Sequence, residues 1–535
     1  MKTLKTNVIS KILTSVLAAL LLVSCGQKSF APEDLAVKVN KSQQARILIT
    51  TDLEVDDMNG VILSLMYADQ YDLAGIVWTA GMYHFSGDGG LHTLGQITPN
   101  YKCYATHCEH RVKSPADLTE FRPADPTWLN RILDYYEADY KLMSKNNPNY
   151  PTPEYIRSIT KVGNIEFESD YRNETEGSNL IVKCIMDDDM RPLYIQHWGG
   201  INTTVRALYT IYEKYHGTPE WEQVLAKVTS KVRIGGNGED NCRADSKIDE
   251  MFPGLKNGGY GMGYFSYGSY FAARYNLTTS DNLPRRAADE LQPYLHANFT
   301  LDAYKKGHGN LSEEIWLVGE GRAIFGEPII HQFSLITYLD QGKACELGWV
   351  PERLKDWPRA EFKPFDWGFC QFGCASFINI GLRPEVSNRG NRNSFGPRSE
   401  VPDPRNHYTI IMWEELAARA DWAICEPKDC NHAPIVTADK LDFVATPGQT
   451  VSLSGNAKDP DGDKLIARWW VPAFSCTYKE GKAEGLTVSS ETGWKSEFTI
   501  PADAKTGDIF VVNLEVRDKA TRPMTRFAQY VITVS

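Results

Sequence analysis

The chain has 535 residues and carries Lys+Arg 57 against Asp+Glu 68, a formal net charge of −11. That acidic balance, with no lysine- or arginine-rich block, argues against a nucleic-acid binder or a protein held on anionic lipid by charge, since both need basic patches. The length suits two or three domains, and 13 Trp with 26 Tyr supply rings either for cores or for the faces of sugars.

At the start, Lys2, Lys5 and Lys11 accompany an apolar run from Ile12 to Val23 that leads into Leu22-Val-Ser-Cys25. The run is too short for a permanent spanning helix and reads as an export signal. It resembles a bacterial lipoprotein signal, residues 1–24, cut before Cys25, whose thiol then carries the lipid. A plain secretory signal is the alternative. The resemblance implies a lipid-anchored protein of the cell envelope with the membrane as a partner. Polar residues 25–44 read as a tether to the first domain.

A domain is expected over 45–425. Arg46-Ile-Leu-Ile-Thr-Thr51 is a strand pattern that runs into Asp52, Asp56 and Asp57. Met58, Val61, Ile62, Leu65 and Met66 follow at helical spacing, and Leu73 to Thr79 is a second strand. This βαβ unit puts three carboxylates at the carboxyl end of a strand, where open α/β sheets bind ligands. Three such charges in six residues repel one another and must be hydrated, protonated or bound to a cation. Leu193 to Trp198 ends at Gly199-Gly200, Lys231 to Ile234 at Gly235-Gly236, and Ile315 to Val318 at Gly319. Strand, glycine turn and helix in repetition predict a mostly parallel open sheet with helices on both faces. The stretch Gly254 to Gly268 reads as a long loop.

After Cys425 to Pro434 the helical pattern stops. Val451/Leu453, Val512/Leu514/Val516 and Tyr530/Ile532/Val534 alternate with period two between Gly, Pro and Asp turns, predicting an immunoglobulin-like β-sandwich over 431–535. Asp459-Pro-Asp-Gly-Asp463 reads as a hydrated acidic turn, because Trp470 stands where an EF-hand loop needs glutamate. Cys103/Cys108, Cys370/Cys374 and Cys425/Cys430 are locally spaced, but spacing alone assigns no disulfide. Cys103 and Cys108 with His107 and His110 could also hold zinc, although no second ligand pair follows. There is no G-x-S-x-G and no Gly-Lys-Ser/Thr, so neither a serine nucleophile nor a phosphate loop is supported.

Asp52-x3-Asp56-Asp57 between strand and helix resembles the opening motif of the nucleoside hydrolase superfamily. It is nearest a branch of secreted bacterial relatives, some described as cellulose-binding, that carry a C-terminal β-sandwich. Trp198-Gly-Gly-Ile-Asn-Thr203 resembles the second glycine turn of that superfamily, Ile234 to Asn241 the third, and Gly326-Glu-Pro328 its late Asp-Pro. The resemblance implies calcium held by Asp52, Asp57, the Asn202 carbonyl and Glu327. Asp52 would act as general base on water, and Asp56, Asn237, Glu239 and Asn241 would hold sugar hydroxyls. Trp198, like Trp78, stands where a ring would stack on a sugar or base, or serve the core. Asn202 also reads as an N-cap, and His197 and His331 read as core histidines with leaving-group acid as the sharper role.

The chain departs from that pattern at Thr50 in place of an acid, at Met82 in place of a sugar-binding asparagine, and at Arg322 after Glu320-Gly321. A guanidinium at Arg322 could neutralise Asp52 and Asp57 without a metal. The first expectation is therefore a hydrolase of N-glycosyl bonds, or of a related small glycoside. The second, from another class, is a non-catalytic surface lipoprotein that binds glycan through the altered pocket and the sandwich.

Overall fold

The structure is a computed structural model that describes residues 44–53, 55–82, 84–101, 115–121, 123–236, 242–257, 301–315, 323–324, 327–328, 380–383 and 406–535. Strands β1 (Arg46–Thr51), β2 (Asp72–Trp78), β3 (Thr160–Val162), β4 (Leu193–His197), β5 (Val232–Gly236) and β6 (Lys256–Asn257) form one sheet in the order β3-β2-β1-β4-β5-β6. Every pairing in it is parallel. A parallel sheet needs helical crossovers, and the longer helices among the described residues are α1 (Val55–Met66), α2 (Trp128–Asn146), α3 (Pro153–Ile159), α4 (Glu176–Met186), α5 (Asn202–Tyr215), α6 (Trp221–Lys231) and α7 (Asn406–Asp421).

The apolar residues sort themselves by period. Ile47, Ile49 and Ile76 face α1, α2, α3 and α7, while Leu48, Val77 and Ile195 face α4, α5 and α6. Both faces are thus covered, which is why β1 reads as an unbroken apolar run rather than an alternating one. The expected α/β architecture is present. One expectation is corrected: Lys256 and Asn257, placed in a loop by composition, add an edge strand to β5. Two backbone pairings leave no apolar period to read. Among the described residues no helix is long and apolar enough to cross a membrane.

The last hundred residues are β strands, as expected. Strands 442–445, 525–534, 509–518 and 465–470 form a sheet in that order, and 450–454 pairs antiparallel with 495–499. Val451, Leu453, Trp469, Phe498, Phe510, Leu514 and Tyr530 form the core between them. The other face of the four-stranded sheet is covered over its two central strands, whereas the edge strands keep exposed positions such as Val444 and Ile466. The covered part packs on α7: the Tyr408 ring lies 5.8 Å from Phe527 and 5.7 Å from Trp470, and Asn513 donates to the Tyr408 hydroxyl at 2.9 Å. Ile509–Asp518 is accordingly buried along most of its length. Met524 and Phe527 belong to the same apolar cluster as Trp413 and Trp128.

Between the two units, Cys425 and Cys430 form a disulfide, whereas Cys184, Cys242 and Cys476 are buried. His432 closes the seam. Its backbone N–H and Nδ1 meet the Asp461 carboxylate at 2.6 and 2.9 Å, and its Nε2 meets Asn146 Oδ1 at 3.0 Å.

Carboxylate oxygens of Asp459, Asp461 and Asp463 lie within 4.8 Å of one another. Burial, then Asp461 and Asp518, push the Asp459 carboxyl up to about 6. A folded-state value above the unfolded one means the fold binds this proton more tightly. The associated stability is present below about pH 3.9 and lost as pH rises through about 6. Asp459→Asn keeps an oxygen for the N–H groups of Asp461 and Asp463, both at 2.9 Å. It is expected to raise the melting temperature by about 1–3 °C at pH 7.5, with the gain gone near pH 4. Thermal melts at the two pH values check this, and a lower melting point at pH 7.5 would show that the charge itself is needed.

Candidate functional site

The sheet order reverses between β1 and β4, and the crevice at such a reversal is where open α/β sheets take ligands. Asp52 leaves β1 at that point. The chain then turns through Leu53, whose φ of +62° is left-handed, a conformation that costs a non-glycine residue about 1–3 kcal/mol. Side chains hold the turn. Thr51 Oγ1 accepts from the Leu53 N–H at 3.0 Å and donates to Asp57 Oδ2 at 2.8 Å, and the Asp52 N–H donates to the same oxygen at 3.2 Å. Asp57 therefore reaches back from the first turn of α1 to fix the strand end. Its charge also suits the positive end of the helix.

Asp52 is 6% exposed and Asp57 2%. The walls around Asp52 are glycines. A Cβ on Gly81, after β2, would lie 1.8 Å from Asp52 Oδ2, and one on Gly199, after β4, 2.7 Å from Asp52 Cβ. Gly200 N–H donates to Ala80 O at 2.8 Å, which locks these two turns together. The carboxylate thus sits in a cradle that only glycine permits on either side. Gly199 stands in a glycine turn visible in sequence, whereas Gly81 carries no such signal beyond following a strand.

Asn202 enters differently from expectation. It is the first residue of α5, with Ile201 at the cap position. Helical carbonyls point along the axis toward the C-terminus, so the Asn202 carbonyl turns away from the strand ends. Its side chain does not cap the helix either. Nδ2 donates to Asn164 O at 2.8 Å and Asp170 O at 3.1 Å, and Oδ1 accepts from Thr79 Oγ1 at 2.7 Å. The residue is fully buried and ties the end of β2 to the loop after β3. Arg172 extends that tie, forking onto Asp170 with both contacts at 2.9 Å. The pair went unnoticed in the sequence because nothing local marks Asp170 as buried.

Trp198 is 6% exposed and its ring fills the space over Gly60, where a Cβ would come within 2.9 Å. That places it in the core under α1 rather than stacked on a sugar. His197 is a core histidine, with Nδ1 at 2.5 Å from Gly235 O and Nε2 at 2.9 Å from Thr204 Oγ1. Thr50 is fully exposed to neither solvent nor pocket: it is buried, with Val77 and His197 as register partners. A hydroxyl is far cheaper to bury there than a carboxylate. Met82 is 4% exposed, and its carbonyl accepts from the Tyr101 hydroxyl at 3.1 Å.

The structure therefore brings Asp52 and Asp57 together with two glycine turns. Asp56 lies in α1 and Glu327 in a two-residue strand, each described by its backbone alone. Asn237, Glu239, Asn241, Arg322, His331, Cys25 and the Cys103/Cys108 pair lie outside the described residues. Two adjacent carboxylates are donors of the hard-oxygen type that calcium takes in sets of six to eight. The described donors fit such an ion in kind, with Asn202 removed from the set.

Family models match two stretches of the chain. Residues 46–326 match one described as cellulose-binding Sde182, nucleoside hydrolase-like domain, and residues 450–534 match the C-terminal domain of cellulose-binding protein Sde0182. Among solved structures, a nucleoside hydrolase-related hypothetical protein from Saccharophagus degradans, described as associated with carbohydrate metabolism, aligns with a TM-score of 0.55 at 20% identity. The alignment covers 92% of this chain and 100% of that one, and at that identity it speaks for the fold. Titin domain M7 is matched over 20% of this chain and 96% of its own at 13% identity, with a TM-score of 0.14, too low to argue from. No curated protein matches the chain.

Proposed function

The chain belongs to the cellulose-binding Sde182 family with a nucleoside hydrolase-like domain, and from that premise we propose a carbohydrate-associated role in which the Asp52 pocket hydrolyses an N-glycosyl bond or a related small glycoside. The observation that carries this reading is the cradle. Gly81 and Gly199 hold one carboxylate at the sheet's reversal point, and Asp57 is anchored beside it by Thr51. Asp52 would take the proton of an attacking water while the electron pair of the breaking bond leaves with the aglycone. Nearby negative charge favours the oxocarbenium-like state between. Asp52 and Asp57 are the residues that would hold calcium, which when bound offsets their repulsion and makes water at the site more acidic.

The test is turnover of a nucleoside and aryl-glycoside panel by the full chain, with calcium and with a chelator, against Asp52→Asn. Activity falling by about a hundredfold or more in the variant is expected. Absence of turnover on every substrate, or equal turnover in the variant, removes the hydrolase reading.

The second reading is a glycan-binding surface lipoprotein, favoured by the match of residues 450–534 to the C-terminal domain of a cellulose-binding protein. Retention of the full chain on cellulose and on soluble polysaccharides, without turnover, would select it. The whole chain is the right object, because α7 covers the outer face of the sandwich sheet and residues 431–535 alone would expose Phe527 and Met524. Among the described residues no tryptophan is exposed to form a flat platform for a crystalline glucan. In both readings Cys25 carries the lipid, and the protein sits in the cell envelope.

A further inference from the structure

Three arginines of one hairpin in the sandwich grip α7. Arg517 Nη2 reaches Glu414 Oε1 at 2.8 Å, Arg522 Nη1 reaches Asp421 Oδ1 at 2.7 Å, and Arg526 Nη1 reaches Glu415 Oε2 at 2.7 Å. The third contact does not stop at α7. Glu415 Oε1 accepts from Arg419 Nε at 2.9 Å. Arg419 then donates to Asp69 Oδ2 at 3.0 Å and to the carbonyl of Met66 at 3.1 Å.

Met66 is the last residue of α1, and Asp57 lies in its first turn. The helix is therefore a strut fixed at both ends. Its N-terminal end is held by Asp57 on Thr51 and Asp52, and its C-terminal end by Arg419, with Tyr67 donating to Met412 O at 3.0 Å. Twelve residues of helix span about 18 Å, and a packed helix shifts as a body rather than stretching.

We infer that the sandwich is a positioning element of the candidate site: Arg526, acting through Glu415 and Arg419, seats α1 and with it Asp57 and the Thr51–Leu53 turn. The charges alternate along the path, and the inner three are dry, with Glu415 at 1% side-chain exposure and Arg419 and Asp69 at 0%. Without Arg526, Glu415 has one cationic partner where it had two, and Arg419 is drawn toward it and away from Asp69 and Met66. The Arg419 guanidinium lies 4.4 Å from the Tyr67 ring, so that shift reaches the end of α1 directly. This coupling does not depend on what the pocket binds.

Amide hydrogen exchange on the full chain tests it. In Arg526→Gln, the amides of residues 57–66 are expected to exchange about tenfold faster, the size of one charge-assisted hydrogen bond. Those of β4 and β5 should keep their rates, and Arg526→Lys should restore part of the protection. Arg517→Gln, which breaks the contact to Glu414 rather than the one to Glu415, serves as the control and should leave 57–66 unchanged. Unchanged exchange in Arg526→Gln overturns the inference. So does a rise spread equally over α1, β4 and β5, or an equal effect of Arg517→Gln, since each reduces Arg526 to general stability.

Discussion

Replacing Arg419 by methionine is expected to destabilise the full chain by about 3–5 kcal/mol, the cost of stripping one partner from a buried ion network. Arg419 is wholly buried between Asp69 and Glu415, with its guanidinium 4.4 Å from Tyr67 and 4.8 Å from Trp422. It also satisfies the Met66 carbonyl and the Tyr150 hydroxyl, at 3.1 and 3.0 Å. Methionine fills much of the volume and none of the charge, so Asp69 loses its cation away from water and Glu415 keeps only Arg526. Arg419→Lys should recover only part, because a single ammonium cannot fork onto Asp69 while reaching Glu415. The double change Asp69→Asn, Arg419→Met should be milder than the single one, since Asp69 then leaves no unpaired charge and Glu415 keeps Arg526 at 2.7 Å. Urea unfolding followed by circular dichroism measures all three. A loss below about 1 kcal/mol for the single variant would mean that water reaches these groups, as at a surface pair.

The network also shows which parts of the molecule sequence can reveal. The βαβ opening was legible because Met58, Val61, Ile62, Leu65 and Met66 share one helical face and β1 precedes them. Periodicity reports a local property, and these elements are local. Arg526 and Glu415 are 111 residues apart, and nothing in either segment announces the other. For the same reason the period-two run Val512/Leu514/Val516 marks one face of Ile509–Asp518 and carries no sign that α7 covers the other.

Within the site, Asp52 and Asp57 were legible as carboxylates at a strand end. Asn202 was not, because residue type does not distinguish a cap from the first helical position. Trp198 was open between sugar and core until Gly60 was found beneath its ring.

Gly81→Ala is expected to cut the activity of the pocket by about a hundredfold or more while leaving the fold intact, since a misplacement of about 1 Å in a catalytic group has that effect. The new Cβ would lie 1.8 Å from Asp52 Oδ2 and 2.8 Å from its Cγ, so one of the two must move. Asp52 is the softer partner, because Gly81 is held by reciprocal backbone bonds with His84 at 2.8 and 3.3 Å. Gly81 is not among the residues with positive φ, so alanine meets no backbone strain there and the effect is purely one of space.

Gly89→Ala separates the two causes. Gly89 has φ +77° and nothing within 4 Å of an added Cβ, so that variant carries strain without intrusion and should keep full turnover with a slightly lower melting point. The hydrolase panel run on both variants, beside thermal melts, makes the comparison. If Gly81→Ala retained turnover while Asp52→Asn lost it, the carboxylate would tolerate displacement and the glycine cradle would not be what aims it. If Gly81→Ala and Asp52→Asn both lose turnover with melting points near wild type, the glycine turn and the acid act as one unit, and the spacing of β2 and β4 around β1 is what makes Asp52 a base rather than another buried acid.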